Sequence, residues 1–156
     1  MAEQHSPWYA WLDTVILQYP EDSSSLKITK SHFNSIGVSG ICFVGYPDSV
    51  RSPLFQYYEK STLEEFDKER GTRSDNYPKN CPVENRLIEN IGFAEKQVAG
   101  VHMSMPFGIT VRNCTICHTA RADINVSKGT FGGQHIEWCD VFDTVRDTSD
   151  HGSFNS

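Results

Sequence analysis

The stretch from Cys81 to Val98 limits the possible folds most strongly, because its apolar residues recur at helical spacing. Pro82 suits the first position of a helix, and Glu84 would lie in the first turn. An apolar stripe follows at intervals of three or four residues: Val83, Leu87, Ile91, Ala94 and Val98. This pattern predicts a helix from Pro82 to Val98, with Cys81 at its N-terminal cap.

Further helices and strands are predicted on both sides of this segment. Pro7 and the apolar face between Trp8 and Tyr19 predict an N-terminal helix, and the charged segment between Tyr57 and Tyr77 predicts an exposed helix or loop. A short alternating pattern predicts a strand at residues 26–29, and apolar runs predict strands at 40–46 and 107–112, with a further strand expected at 126–131. The sequence is interpreted as having no internal repeats. Helices that interleave with strands are typical of the α/β class, so we expect a three-layer sandwich with a mixed central sheet and helices on both faces.

The length and charge of the chain limit its organisation and its partners. With 156 residues the chain is long enough for one domain, which we expect at residues 1–146, followed by a polar tail at 147–156 that is predicted to be disordered. The net charge of −6 argues against strong non-specific binding to nucleic acid, although it allows a base to enter a pocket. No apolar run approaches a membrane span, and Asp13 is not typical of a signal peptide, so we expect no membrane contact and a cytoplasmic location.

The cysteines are the strongest functional signal in the sequence. Their odd number, 5, argues against a disulfide scaffold and favours metal binding or buried thiols. In the segment VRNCTICH, Cys114, Cys117 and His118 match the C-x-x-C-H pattern of covalent haem attachment. The same two cysteines could instead hold a structural zinc ion with His135 and Cys139, because the short ligand spacings suit a tetrahedral ion. The protein would then be a non-enzymatic, zinc-stabilised binding module.

A third interpretation places a catalytic zinc ion at the starts of two predicted helices. The predicted strand FGITVR leads into Cys114 and Cys117, while Cys81 caps the predicted helix upstream. The positive potential at helix N-termini lowers the pKa of thiols, and three thiolates would leave the fourth zinc position open for water. Glu84 would lie nearby and could transfer protons as a general acid and base.

At these residues the chain resembles the zinc-dependent cytidine deaminase superfamily, and among its branches the compact bacterial toxin deaminases look most similar. The family pattern is H/C-x-E, followed by P-C-x-x-C on the next helix. Here the first motif is Cys81-Pro82-Val83-Glu84, which is one residue longer, and Asn113 stands at the position of the proline. The specific part of the resemblance lies between residues 81 and 117.

The resemblance implies an enzyme that hydrolytically deaminates a cytosine or adenine base, in a nucleic acid or in a free nucleoside. In such an enzyme Zn²⁺ would be held by Cys81, Cys114 and Cys117, and Glu84 would move the protons. A toxin domain of this kind implies delivery into a target cell and an immunity protein as a partner. The haem and zinc-module interpretations stay open beside this one.

Overall fold

The computed structural model describes residues 15–18, 28–29, 32–51, 60–127 and 131–156, and there the chain winds as a parallel β-solenoid. Each full coil contributes one strand to each of three sheets, and the strands of a sheet pair in parallel from coil to coil. Sheet A contains β1 (Val15–Gln18), β4 (Ile41–Val44), β7 (Ala99–Ser104), β10 (Ala122–Val126) and β13 (Phe154–Asn155). Sheet B contains β2 (Ile28–Thr29), β5 (Pro82–Glu84), β8 (Thr110–Arg112) and β11 (His135–Glu137). Sheet C contains β3 (His32–Ile36), β6 (Leu87–Ile91), β9 (Thr115–Thr119) and β12 (Asp140–Phe142).

The α/β sandwich expected from the sequence is therefore wrong. Within the described residues the one helical segment is a short 3-10 turn at Pro47–Ser49. The physical reason is that each sheet buries its inner face against the other two sheets of the same solenoid, so no helix is needed to cover it. The lack of a visible sequence repeat was equally misleading, because the coils repeat in structure while the connections between strands differ in length.

The segment from Cys81 to Val98 shows why helical spacing misled. It forms β5, a tight corner and β6, followed by the turn that leads into β7. Leu87 and Ala94, two members of the predicted stripe, are exposed, whereas Ile88 is fully buried. Apolar residues of short strands that are separated by corners recur every few positions, and this spacing imitates the period of a helix.

The other predicted elements have mixed outcomes. The strand predicted at 40–46 is confirmed as β4, and the end of the strand predicted at 107–112 is confirmed as β8. The strand predicted at 126–131 is displaced, since β10 ends at Val126 and residues 128–130 lie outside the described part. In the predicted tail, Phe154–Asn155 pairs with β10.

The predictions for the N-terminal part fall mostly on residues outside the described ranges. Of the predicted first helix, Val15–Gln18 is described, and it forms β1 rather than a helix. Of the strand predicted at 26–29, Ile28–Thr29 is described as β2. From residue 60 onward, the charged segment forms neither helix nor strand as far as residue 77. In the part of the chain that the structure covers, no helix has the length and apolar character needed to span a membrane.

The core consists of rows of apolar side chains that stack from coil to coil. In sheet A, Ile41, Val101 and Ile124 occupy equivalent inward positions of β4, β7 and β10, and each is at most 1 % exposed. In sheet C, Ile88 and Ile116 form a second row without solvent exposure. Burial of each such side chain stabilises the fold by roughly 1.5–3 kcal/mol, so these rows hold neighbouring coils in register.

A two-residue corner joins sheets B and C in successive coils. Its first residue has a left-handed backbone at Asn85, Asn113 and Trp138, with φ values of 56°, 52° and 55°. Its second residue is buried inside the solenoid at Arg86 and Cys114. Asparagine tolerates the left-handed region better than most residues, which explains its use at two of these corners.

Asn113 offers a direct test of this corner. We expect Asn113→Val to lower the free energy of unfolding by about 1–2 kcal/mol, because a β-branched side chain is strained in the left-handed region. Asn113→Gly is the matched control and should change stability little, since glycine adopts this conformation freely. Urea titrations followed by circular dichroism measure both variants, and equal stability of the two would contradict a left-handed corner.

Sheet C carries a second row of left-handed residues within its strands. Ser35, Asn90 and His118 occupy equivalent positions of β3, β6 and β9, with φ values of 57°, 56° and 54°. A left-handed residue interrupts the alternation of a strand, so two consecutive side chains face outward between two inward ones. Register with Glu89 and Asn90 of β6 assigns the two outward positions of β9 to Cys117 and His118, and Cys117 is nevertheless buried there. This local backbone shape creates the site described next.

Candidate metal centre

Three side chains that can bind a metal meet on the outer face of sheet C. Glu89 in β6 and Cys117 in β9 are neighbours in register, and His118 follows Cys117 in the chain. The left-handed backbone at His118 turns its side chain to the same face. One ligand atom from each of the three residues lies within 4.8 Å of the other two. Among the residues that the structure describes, no other three His, Cys, Asp or Glu residues meet this condition.

The distances in this group suit a tetrahedral ion. Cys117 Sγ lies 3.7 Å from His118 Nδ1, and that nitrogen lies 3.9 Å from Glu89 Oε2. Zinc bonds are about 2.3 Å long to sulfur and about 2.0–2.1 Å long to nitrogen or oxygen. In a tetrahedral site, a sulfur and a nitrogen ligand then lie roughly 3.6 Å apart, and a nitrogen and an oxygen ligand roughly 3.3 Å apart. In these two pairs the ligand atoms would need to approach each other by roughly 0.1 and 0.6 Å to hold such an ion. The third pair, Cys117 Sγ and a Glu89 carboxylate oxygen, lies within 4.8 Å.

Two further side chains orient the candidate ligands. His118 Nε2 lies 3.3 Å from Asp143 Oδ2, so a carboxylate faces this ring nitrogen while Nδ1 faces Cys117. His32 Nε2 lies 2.8 Å from Glu89 Oε1, which leaves Oε2 as the oxygen nearer to His118. Metal centres are typically supported in this way, because a partner on the second atom of a ligand fixes its orientation and tautomer.

The Cys117 thiol lies in a buried and acidic environment. Cys117 is 3 % exposed, and burial is the main cause that raises the pKa of its thiol. The charges of Glu89, Asp123 and Asp143 raise this pKa further, since they oppose a thiolate. A bound divalent cation would instead lower the pKa of this thiol, because it binds the thiolate directly and offsets the charges of the neighbouring carboxylates.

The zinc ligands predicted from the sequence are not brought together as one group. Cys81, before β5, and Cys114, after β8, belong to the buried core, whereas Cys117 faces the outer side of sheet C. Cys81 Sγ lies 3.3 Å from the Lys79 carbonyl oxygen, and Cys114 Sγ lies 3.3 Å from the Arg112 carbonyl oxygen. Burial raises the pKa of both thiols, which is the opposite of the lowered pKa expected at helix starts.

Glu84, the predicted general acid and base, belongs to a row of charges on sheet B. It is the in-register neighbour of Arg112, and the two side chains form a hydrogen-bonded ion pair. Arg112 Nη1 also lies 3.5 Å from Glu137 Oε1 in the next coil. The hydrogen bond and the charge of Glu84 raise the pKa of Arg112. Glu84 therefore helps to join neighbouring coils electrostatically.

The ligands of the zinc-module and haem interpretations also lie in different parts of the structure. Cys114 and Cys139 occupy equivalent corner positions between sheets B and C, where the Asp140 N–H donates to the Cys114 carbonyl oxygen. His135 is exposed on β11. Of the haem pattern, Cys117 and His118 lie in the candidate centre, whereas Cys114 lies in the core.

Sequence reasoning missed Glu89, Asp143 and His32 altogether. These residues come from three different coils, so their distances along the chain from VRNCTICH follow no ligand-spacing rule. A signal was nevertheless present in the segments VENRLIENI and VRNCTICHT, which share valine, asparagine and isoleucine at equivalent positions. Alignment of these two segments places Glu89 opposite Cys117, as the ladder between β6 and β9 does.

The deaminase activity stays a prediction, and the described residues lack the α-helices whose N-termini were expected to gather its zinc ligands. What the geometry offers instead is one cluster of a carboxylate, a thiol and an imidazole on sheet C. No protein family, curated protein or solved structure matches the chain in comparisons with known proteins.

Proposed function

We propose that this protein binds a metal ion, Zn²⁺, through Glu89, Cys117 and His118 on the outer face of sheet C. The observation that carries the proposal is the convergence of three different ligand types, with all three ligand atoms within 4.8 Å of one another. Histidine and carboxylate pairs are common on surfaces without a metal, where they contribute little to stability. A thiol beside such a pair adds the ligand type that a surface ion pair lacks, and it completes a set that suits a metal ion.

The ligand set favours zinc over harder cations. Thiolate and imidazole suit Zn²⁺, whereas Mg²⁺ and Ca²⁺ prefer oxygen ligands. Three protein ligands leave one tetrahedral position for water, which is typical of catalytic zinc sites rather than structural ones. When bound, zinc would supply a water molecule with a pKa near ~7, which suits hydrolytic chemistry. The His118 side chain is 36 % exposed, so this face of the centre is open to solvent.

Titration with Co²⁺ tests the proposal, because cobalt bound to a thiolate gives a charge-transfer absorption band that competing Zn²⁺ removes. We expect about one equivalent per chain, and weaker binding as the pH falls, since the thiol and the imidazole must lose protons. Cys117→Ser should abolish the band and weaken Zn²⁺ binding by about 100-fold or more, beyond the effect of losing a supporting residue. Cys139→Ser is the matched control, because this half-buried thiol belongs to the predicted zinc module and not to this centre.

The same titration separates ligands from supporting residues. Asp143→Asn should weaken Zn²⁺ binding by about 10–100-fold while the thiolate band stays, because His118 loses only its orienting carboxylate. Asp140→Asn, which removes an exposed carboxylate from the same coil, is the control and should leave binding unchanged. Loss of the band in Cys139→Ser as well as in Cys117→Ser would contradict the three-ligand centre and favour the zinc module, which needs both thiols. A band that persists in Cys117→Ser would contradict both.

A further inference from the structure

A cleft of about 540 Å³ opens beside the candidate metal centre and shares His118 with it. This volume lies in the range of small-ligand sites. Besides that histidine, its lining includes two basic residues, one acidic residue, one aromatic ring and two polar side chains: Lys96, Arg146, Asp147, Phe93, Ser35 and Asn90. A lining of this kind suits a molecule with a negatively charged end and an apolar body.

Arg146 is held at the cleft by its backbone. Its N–H donates to the Thr119 carbonyl oxygen at 3.2 Å, and the N–H of Asp147 donates to the Ala120 carbonyl oxygen at 3.0 Å. The Arg146 side chain is 52 % exposed, and its Nε lies 4.0 Å from Asp143 Oδ2. A guanidinium has five N–H donors, so this long contact leaves donors that can turn towards a ligand.

Lys96 adds a second positive charge to the cleft, and Asp147 already neutralises this charge in an ion pair. Its Nζ lies 2.9 Å from Asp147 Oδ2 and donates to the Gly92 carbonyl oxygen, also at 2.9 Å. Because Asp147 offsets the charge of Lys96, we expect Arg146 to be the cation that contacts a ligand directly.

Asp143 shows how near Arg146 lies to the metal centre. The same carboxylate oxygen, Oδ2, is 3.3 Å from His118 Nε2 and 4.0 Å from Arg146 Nε. The Asp143 carboxylate is therefore close to both a proposed metal ligand and the arginine of the cleft. A group bound by Arg146 would lie next to the centre and not at a remote surface.

We propose that this cleft binds a small organic oxyanion, a carboxylate or a phosphate ester, whose anionic group lies between Arg146 and the metal centre. The inference rests on the proposed function, because the metal ion would offer the anion its open coordination position. The planar fork of arginine matches the oxygens of both anion types. Phe93 is 44 % exposed and offers its ring to the apolar body of the ligand.

Calorimetric titrations with three probes test this proposal: inorganic phosphate, phenyl phosphate and benzoate. Each probe is added to metal-free protein and to protein loaded with one equivalent of Zn²⁺. We expect phenyl phosphate to bind more tightly than inorganic phosphate, because its ring can contact Phe93. We also expect zinc to increase the affinity for phenyl phosphate by about fivefold or more, because bound zinc and bound phosphate ester stabilise each other. Comparison of phenyl phosphate with benzoate identifies the preferred anion.

Variants connect this binding to the cleft. Arg146→Gln should weaken phenyl phosphate binding by about tenfold or more, as expected for the loss of a charge-assisted hydrogen bond. Arg70→Gln removes an exposed arginine from the segment before β5 and should have no effect. Equal binding by these two variants, or no anion binding to zinc-loaded protein, would overturn the cleft proposal and leave the metal site intact. Anion binding through Arg146 in a protein that takes up no Zn²⁺ would overturn the proposed function and retain the oxyanion site.

Discussion

Gly100→Val should lower the free energy of unfolding by roughly 3 kcal/mol or more, because the interior of the solenoid has no room for a side chain at this position. A Cβ atom on Gly100 would lie 2.5 Å from Ile116 Cγ2 and 2.8 Å from the Asp123 carbonyl oxygen. The first neighbour belongs to sheet C and the second to the next coil of sheet A, so both a side chain and a backbone of the solenoid would have to shift. Overpacking in a dense core of this kind forces backbone shifts.

Gly152→Val is the matched control for Gly100→Val. Gly152 is exposed, and an added Cβ would meet its nearest atom, the Phe154 carbonyl oxygen, at an ordinary 3.6 Å. This variant should stay within about 0.5 kcal/mol of the parent protein. Urea denaturation of both variants measures the difference. If Gly100→Val were as stable as Gly152→Val, the close approach of sheets A and C would be wrong.

Asp123→Asn should remove most of the loss of stability that the protein suffers between acidic and neutral pH. Asp123 has no solvent exposure, and its Oδ1 accepts a hydrogen bond of 2.8 Å from Thr119 Oγ1. Burial is the main cause that raises the pKa of this carboxyl from 3.8 to about 7, and the charge of Asp143 adds to it. The folded protein therefore keeps Asp123 protonated at pH values where the unfolded chain has released the proton.

The sign of the effect follows from this difference in proton binding. Below pH 3.8 both states hold the proton, and the neutral carboxyl does not oppose folding. From there to about pH 7 the unfolded state releases its proton first, so stability falls as the pH rises. At about 1.4 kcal/mol per pH unit, the loss is on the order of 4 kcal/mol, and it does not grow further above the folded pKa.

The measurement compares unfolding free energies of the parent protein and Asp123→Asn at intervals between pH 4 and pH 8. The two should be similar near pH 4, and the variant should be more stable by a few kcal/mol at pH 8, because its amide carries no charge at either pH. Asp140→Asn controls for the loss of an exposed carboxylate and should follow the parent. Parallel curves for the parent and Asp123→Asn would show that burial does not keep Asp123 protonated.

A strand that is apolar along its whole length was the easiest to predict, although the predicted ranges also included β2 and β8. Residues 40–46 meet that condition, and β4 lies within them. The segment that begins at Pro82 does not, since the left-handed residues Asn85 and Asn90 shift the inward positions after each short run. The apolar residues of this segment therefore matched helical spacing better than strand alternation, although the backbone is extended. The left-handed conformation of single asparagines, rather than hydrophobicity, determined that the segment forms two short strands.

The candidate site could be predicted in part for a similar reason. Cys117 was in every ligand set because local spacing draws attention to C-x-x-C, and His118 entered through the haem pattern. Glu89 was beyond reach, because its place beside Cys117 depends on the register between two coils and not on spacing within one. Register is set by rows of buried side chains and by corners, and neither is evident until the coils are aligned with each other.

The connections from sheet A to sheet B allow the protein to change length without changing shape. They run through residues 45–81, 105–109 and 127–134, yet each delivers the next strand to the same row, where Pro82, Thr110 and His135 are neighbours. Since the wall of stacked strands sets the register, insertions at this edge would leave the register of sheet C unchanged. In evolutionary terms, this edge can acquire new loops while the wall that carries the candidate ligands is inherited unchanged.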